Sequence, residues 1–420
     1  MSAQDTTTDA YKRGVKVMGV GIAATGLLTF AYFSAAGHAL SASEYGRIST
    51  LWAVLFVVMS VLYRPVEQLL SRRIADRLAR GGGPHALRTP VLLQLGFAAL
   101  FVVLALVFRG PIEHQILDGE DSLYWILVFS ALAYAASYFA RGYLAGHQWF
   151  ALYGGLVFFE ASARLLFPLA VLVGIGAGQT AVALGILAAP VASLLVVPVA
   201  IARHRAAEPT EAVDVAAASS GDDARFAGSV AIVQLAEQTL LNVAVLLAGT
   251  ATEAGLVFSA LLIVRAPLQL FQAIQTSLLP HLAGLEATEG KAAFSDAITK
   301  TVRWIAGFAG LVTAGLLVVG PWAMEVVFDA DAGSYDRTIA LLGAGMGLHL
   351  IAGTLTQAAL ARDRAHQAAA IWLVCAAAFV AWMGSGAVSD SLLRTELGYA
   401  TATAALCAAL LTLYRSGSRS

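Results

Sequence analysis

Long apolar runs, each about the length needed to cross a bilayer, alternate along the chain with short breaks that hold most of the charge. A helix rises 1.5 Å per residue, so about 20 consecutive apolar residues cross the roughly 30 Å hydrocarbon layer. Windows of that kind predict spans near residues 15–38, 45–70, 90–108, 123–144, 150–173, 180–202, 228–249, 253–282, 301–320, 335–360, 366–385 and 395–414. The longest break runs from Arg203 to Arg225, and with Pro209, Asp214 and Asp222 it has the composition of a flexible linker. It falls near the middle and divides the chain into an N-terminal bundle at 1–205, a linker at 206–226 and a C-terminal bundle at 227–420. The predicted fold class is an all-α polytopic membrane protein of about twelve transmembrane helices in two six-helix bundles.

Composition agrees with this pattern. Hydrophobic residues make up 59% of the 420 residues and charged residues 13%, with a mean hydropathy of +0.75. Soluble domains carry about a quarter charged residues, so a soluble fold is excluded. Cys375 and Cys407 both lie inside apolar segments, which implies neither a disulfide framework nor a metal cluster, and no cofactor is expected. The net charge of -1 is uninformative because sidedness matters more than the sum, and no nucleic-acid partner is expected.

Most Lys and Arg fall in alternate breaks: Lys12, Arg13 and Lys16, the run Arg72 to Arg88, Arg141, Arg203 to Arg225, Lys291 to Arg303, Arg362, Arg364 and Arg415. The positive-inside rule makes that side cytoplasmic, with both termini on it and an even number of spans in the cytoplasmic membrane. The opposite breaks hold Arg47, Arg109, Arg337 and Arg394 among acids such as Glu44, Glu113, Asp118, Glu120, Asp121, Glu253 and Glu396. The basic N-terminus ahead of an apolar run imitates a signal peptide. The run from Val17 to Phe33 exceeds a usual signal core, and the charge pattern downstream requires it as a retained first span.

Four spans carry polar stripes that lipid would not tolerate. Arg265, Gln269, Gln272 and Thr276 recur on one face of the eighth; Gln234, Gln238 and Asn242, with Glu237 beside them, mark the seventh. Arg64, Glu67, Gln68 and Ser71 mark the second, and His349, Thr356 and Gln357 make a sparser stripe in the tenth. Charged side chains at mid-helix cost about 2.5–3.5 kcal/mol on insertion scales, so these faces are expected to line a wet interior. Arg265, about 12 residues into its span, sits roughly 18 Å along it, near mid-membrane. Arg64 lies roughly 28 Å along its own span, where lining the cavity and snorkelling to the interface are both open. Glu160 and Arg164, at i and i+4 in the fifth span, are read either as a structural ion pair with each other or as cavity residues. Glu237 has three open roles: a proton or cation site, a partner for an arginine, or neither.

The halves also echo each other. Arg64-Pro65 in the second span matches Arg265 and Pro267 in the eighth, and Gly142 to His147 after the fourth matches Ala358 to Asp363 after the tenth. With equal span counts and the same starting side, the two bundles are expected to be related by a pseudo-twofold axis along the membrane normal, which leaves a central cavity between them. Arginine and carboxamide side chains in such a cavity suit an anionic, hydroxyl-rich substrate, since guanidinium grips phosphate and amides bond sugar hydroxyls.

Several segments carry a resemblance to a known group: Gln234-Leu-Ala-Glu-Gln238 through Asn242, Glu253-Ala-Gly255, Arg265-Ala-Pro267 leading to Leu278-Leu-Pro280, Gly320-Pro-Trp322, Ala359-Leu-Ala-Arg362, Arg141-Gly-Tyr-Leu-Ala-Gly146 and Glu160 to Arg164. In these the chain resembles the polysaccharide-flippase branch, O-antigen flippases included, of the multidrug/oligosaccharidyl-lipid/polysaccharide exporter superfamily. The resemblance implies two six-helix bundles in a V around a central cavity, and a lipid-linked oligosaccharide on a polyprenyl-phosphate carrier as substrate, moved by alternating access. Substrate-binding residues would be Arg265, Arg64, Arg164, Glu160, Gln234, Glu237, Gln238, Asn242, Gln269 and Gln272. A monomer in contact with membrane lipids, with H+ or Na+ as an optional coupling ion, completes that expectation. Lipid II flippases carry about two more helices, which makes a peptidoglycan precursor the poorer fit.

Two alternatives stand beside this one. A cation-coupled multidrug exporter needs a first-half carboxylate, for which Glu67 and Glu160 are available, each near an arginine. A membrane ligase, polymerase or glycosyltransferase needs a substantial catalytic loop, and the longest outer loop, about Arg109 to Ser122, is short for that; the protein is therefore expected not to be an enzyme. No phosphate-binding loop of the Gly-rich Lys-Ser/Thr type occurs, so the chain does not read as an ATP-driven pump.

Overall fold

The computed structural model describes residues 21, 24–79, 87–198, 221–265, 290–329, 335, 338–362 and 364–417, and all regular structure among them is helical. We label the helices α1 (24–39), α2 (Ala42–Val58), α3 (Arg64–Ala79), α4 (Arg88–Val107), α5 (Asp121–Gly146), α6 (Phe150–Leu172), α7 (Gly178–Ser193), α8 (Gly221–Leu246), α9 (251–265), α10 (Gly290–Phe328), α11 (Ile339–Ala361), α12 (Ala365–Gly384) and α13 (Ser391–Gly417). Among the described residues ten helices are long and apolar enough to cross a membrane, and they fall on predicted spans two to seven and nine to twelve. The described parts of the first and eighth spans are α1 and α9. The protein is a multi-pass membrane protein.

The second span is α2 and α3 joined by a π-helical turn at Met59–Tyr63. Its cause is Pro65, which has no N–H to donate to Val61 and would clash with that carbonyl. The register slips by one residue, and the Arg64 N–H bonds to Met59 O. At the start of α2, Ser41 and Glu44 form a capping box.

The chain divides into two compact units, Met1–Ala218 and Ser219–Ser420. In the first, α5 is the hub, packed on α3, α7, α4 and α6, while α6 also packs along α7. Glycines let α5 and α3 touch backbone to backbone. A Cβ on Gly142 would stand 2.7 Å from Glu67 O, and one on Gly146 would stand 2.6 Å from Ile74 Cβ. In the second unit α11 is the hub, packed on α13, α10 and α12. Span by span, the pairs four with six, three with four and five with six in one unit match ten with twelve, nine with ten and eleven with twelve in the other. The repeat thus exists at the level of which helices touch.

Charged groups collect at the ends of the bundles. Arg47 Nη1 pairs with Asp118 at 3.0 Å and its Nε donates to Gln179 Oε1 at 2.7 Å. Arg109 pairs with Glu113 at 3.0 Å and Asp121 at 2.8 Å, with its guanidinium over the rings of Tyr124 and Trp125. In the second unit Ser391 Oγ donates to Glu253 Oε2 at 2.7 Å. On α10, Trp304 (80% exposed) and Trp322 (64% exposed) are 18 residues apart, about 27 Å along the helix. That matches the hydrocarbon thickness, the spacing expected of indoles at the two membrane interfaces.

Candidate functional site

In the second unit, helical spacing on α8 turns Gln234, Glu237, Gln238 and Asn242 towards neighbouring helices. Gln238 (4% exposed) and Asn242 (1%) are buried, and Asn242 Nδ2 donates to Gln238 O at 3.0 Å and to Gln238 Oε1 at 3.2 Å. That orientation leaves Asn242 Oδ1 to accept from Arg265 Nη1 on α9 at 3.3 Å. One turn away, Gln234 Nε2 donates to Glu237 Oε2 at 2.9 Å, and His349 Nε2 on α11 stands 3.5 Å from Glu237 Oε1.

The far side of the histidine is also held. Tyr399 on α13 places its hydroxyl 3.1 Å from His349 Nδ1, its ring stacks on the imidazole, and Trp372 on α12 packs edge-on while donating Nε1–H to Thr356 Oγ1 at 2.9 Å. Tyr399 also lies within electrostatic reach of both Arg265 and Glu237. Five helices therefore hold one polar network inside an apolar bundle.

Arg265 is the anomaly in this network. Its Nε and Nη2 are buried and have no hydrogen-bond partner among the described residues, so its recorded hydrogen bond is the long one to a neutral amide. Taking a charge out of water costs several kcal/mol unless partners compensate, so this guanidinium is the under-partnered charge of the network. Gln269, Gln272 and Thr276, predicted to continue its stripe, lie outside the described residues.

The first unit carries a second polar network. Glu160 (4% exposed) accepts from Arg141 Nη2 at 2.5 Å and from Ser137 Oγ at 3.1 Å, and Ser193 Oγ donates on to Ser137 at 3.1 Å. Tyr153 donates to Glu67 Oε1 at 3.0 Å, and Arg64, Arg141 and Glu160 are within electrostatic reach of that carboxylate. The reading of Glu160 and Arg164 as partners of one another needs correction. α5 brings Arg141 to Glu160, and Arg164 turns the other way, over the Trp52 ring at 4.3 Å and towards Tyr32, with Nη2 3.3 Å from Thr29 Oγ1. Arg164 is 2% exposed, and its Nε and Nη1 have no hydrogen-bond partner among the described residues.

Each network belongs to one unit: Arg265, Gln234, Glu237, Gln238 and Asn242 to the second, Arg64, Glu160 and Arg164 to the first. Sequence reasoning missed Arg141 as a site residue because it was counted among the cytoplasmic charges. Its signal is the run Tyr134, Ser137, Tyr138 and Arg141, a polar stripe at helical spacing. Tyr399 and Trp372 were missed because a lone aromatic residue on an apolar helix looks like core. In the first unit Arg141 and Arg64 stand near the carboxylates Glu67 and Glu160 while Arg164 turns away, and in the second His349 stands by Glu237. Among the described residues no group of three or more His, Cys, Asp or Glu is placed to hold a metal ion.

No protein-family model and no curated protein matches the sequence. Solved structures do match. A MATE transporter of Vibrio cholerae is similar with a TM-score of 0.61 at 15% identity, covering 98% of both chains. A MOP superfamily transporter from Pyrococcus furiosus, described as having a binding pocket of reversed polarity, is similar with a TM-score of 0.67 at 12% identity, over 97% of this chain and 95% of that one. The chain has the MATE transporter fold. A third structure, an inward-facing multidrug resistance MATE transporter of the MOP superfamily, gives a TM-score of 0.64 at 12% identity over 97% of this chain and 93% of the other. At these identities the MATE-like likeness describes the fold.

Proposed function

We propose that this MATE-like protein is an exporter that moves a lipid-linked oligosaccharide across the cytoplasmic membrane by alternating access, with both termini cytoplasmic and no enzymatic step. The observation that carries the reading is Arg265, a buried guanidinium with two nitrogens lacking acceptors among the described residues, bonded to Asn242, which in turn bonds Gln238. A phosphate group on a polyprenyl carrier supplies the missing acceptors, and adjacent sugar hydroxyls bond the amides. Moving an isolated phosphate through hydrocarbon costs tens of kcal/mol in the Born picture, and a cationic hydrated path removes that cost. Gln234 and Glu237 on α8, and Gln269 and Gln272 further along the Arg265 stripe, are assigned to that head group, and Arg64, Arg164 and Glu160 are assigned to substrate binding in the first unit. Export of an anion from a negative interior gains about 2.3 kcal/mol per charge at 100 mV, so an H+ or Na+ gradient is an optional contributor. The protein acts as a monomer among membrane lipids.

A second reading, a cation-coupled multidrug exporter, is favoured by the first-unit carboxylates Glu67 and Glu160 inside the helical bundle and by the multidrug transporter among the structurally similar proteins. Transport in proteoliposomes separates the two. The flippase reading expects movement of a polyprenyl-diphosphate oligosaccharide that Arg265→Ala lowers at least about 100-fold and Arg265→Lys lowers less, since a lysine keeps the charge but not the planar fork. Ethidium efflux with no oligosaccharide movement, unchanged in Arg265→Ala, would overturn it in favour of the second reading.

A further inference from the structure

Among the described residues Arg265 makes no ion pair. Its Nη1 donates to the neutral Oδ1 of Asn242 at 3.3 Å, and the titratable group within its electrostatic reach is the Tyr399 hydroxyl. The carboxylate on α8 is engaged elsewhere. Glu237 accepts from Gln234 Nε2 at 2.9 Å and stands 3.5 Å from His349 Nε2, and it precedes Asn242 by five residues, which turns the two side chains about 140° apart round the helix.

The orientation of the Asn242 amide is fixed one turn back along α8. Its Nδ2 donates to Gln238 O at 3.0 Å and to Gln238 Oε1 at 3.2 Å, so Oδ1 is the atom left for the guanidinium. Asparagine and aspartate share a shape and differ by one charge. A carboxylate here would make a charge-assisted bond to Arg265, roughly twice as strong as a neutral one, and would cancel the charge that an incoming anion has to meet. The amide holds the guanidinium in place and leaves its charge intact.

We propose that Asn242 is the specificity-determining residue of this site: its neutrality keeps Arg265 uncompensated and so selects anions, and one negative charge at 242 closes the site to them. The inference rests on the reading of Arg265 as the anion contact, and two measurements on the purified full-length protein separate the failures. In thermal melting, Asn242→Asp should lower the melting temperature at least about 4 °C more in an Arg265→Met background than in the wild type, because Arg265 pairs with the new carboxylate. In calorimetric titration with inorganic pyrophosphate, Asn242→Asp should bind at least about 30-fold more weakly than the wild type, against at most about 5-fold for Asn242→Leu, which removes one neutral hydrogen bond and adds no charge. Additive melting shifts, or equal losses of affinity in Asn242→Asp and Asn242→Leu, overturn the proposal. A wild type that binds pyrophosphate and not a prenyl diphosphate sugar overturns the transport reading alone, and one that binds neither overturns both. If Arg265→Met does not fold, Arg265→Gln takes its place in the melting series.

Discussion

Two arginines, Arg164 and Arg265, set the character of the molecule at the residue scale, because each keeps two buried nitrogens with no acceptor among the described residues. Arg164 is softened by the Trp52 face at 4.3 Å, a cation–π contact that stabilises a guanidinium without neutralising it. Arg265 has an amide and an electrostatic neighbour in Tyr399. By contrast Arg141 has a buried carboxylate partner in Glu160, and the two kinds of arginine should respond differently to mutation. Removing one partner, as in Arg141→Met or Glu160→Gln, strands a buried charge and should destabilise the protein by about 3–5 kcal/mol. The double variant should recover most of that loss, measured by thermal unfolding in detergent. Arg164→Met, which removes a charge with no carboxylate partner among the described residues, should leave the melting temperature unchanged or raise it while reducing transport.

At the element scale the close approach of α3 and α5 makes the first network. Gly142 stands against the backbone of Glu67 itself, so the contact that joins the helices also places the carboxylate beside Arg141. Gly142→Ala should therefore destabilise the unit by roughly 1–3 kcal/mol through overpacking, whereas Gly96→Ala on α4, with nothing within 4 Å, should gain about 0.5–1 kcal/mol of helix stability. Opposite shifts in melting temperature check this. The helices themselves were legible, because apolar length is a strong signal in a chain whose backbone groups must be satisfied within each span. The π turn ahead of Arg64 was not, although Pro65 was in view, because a slip of one residue leaves hydrophobicity unchanged. Nor was the choice of Arg141 over Arg164 as partner of Glu160. Spacing along one helix sees i, i+4 neighbours, and the deciding contact came from another helix.

On the scale of the whole molecule, the many-span helical architecture was readable from the sequence: ten predicted spans coincide with helices long and apolar enough to cross a membrane among the described residues, and the MATE-like fold agrees with it. The second unit's site was readable in part. Gln238, Asn242 and Arg265 come together as their stripes suggested, while Tyr399 and Trp372, single aromatics on apolar helices, gave no periodic signal. The ends of the bundles give the topology a direct check. In a protein freed of Cys375 and Cys407, an impermeant maleimide applied to intact cells should label Gln115→Cys beside the Arg109–Glu113 cluster and leave Ala216→Cys unlabelled until the membrane is opened. Labelling in the opposite order would invert the assigned sidedness.

The central claim is that the guanidinium of Arg265 receives an anionic head group, and direct binding of a soluble mimic tests it without any assumption about transport. Calorimetric titration of the purified protein with a short-chain prenyl diphosphate sugar should show one saturable site, weakened at least about 10-fold in Arg265→Ala and less in Arg265→Lys, since a charge-assisted hydrogen bond contributes about 1.5–3 kcal/mol. Equal affinity in wild type and in a folded Arg265→Ala variant would contradict the account.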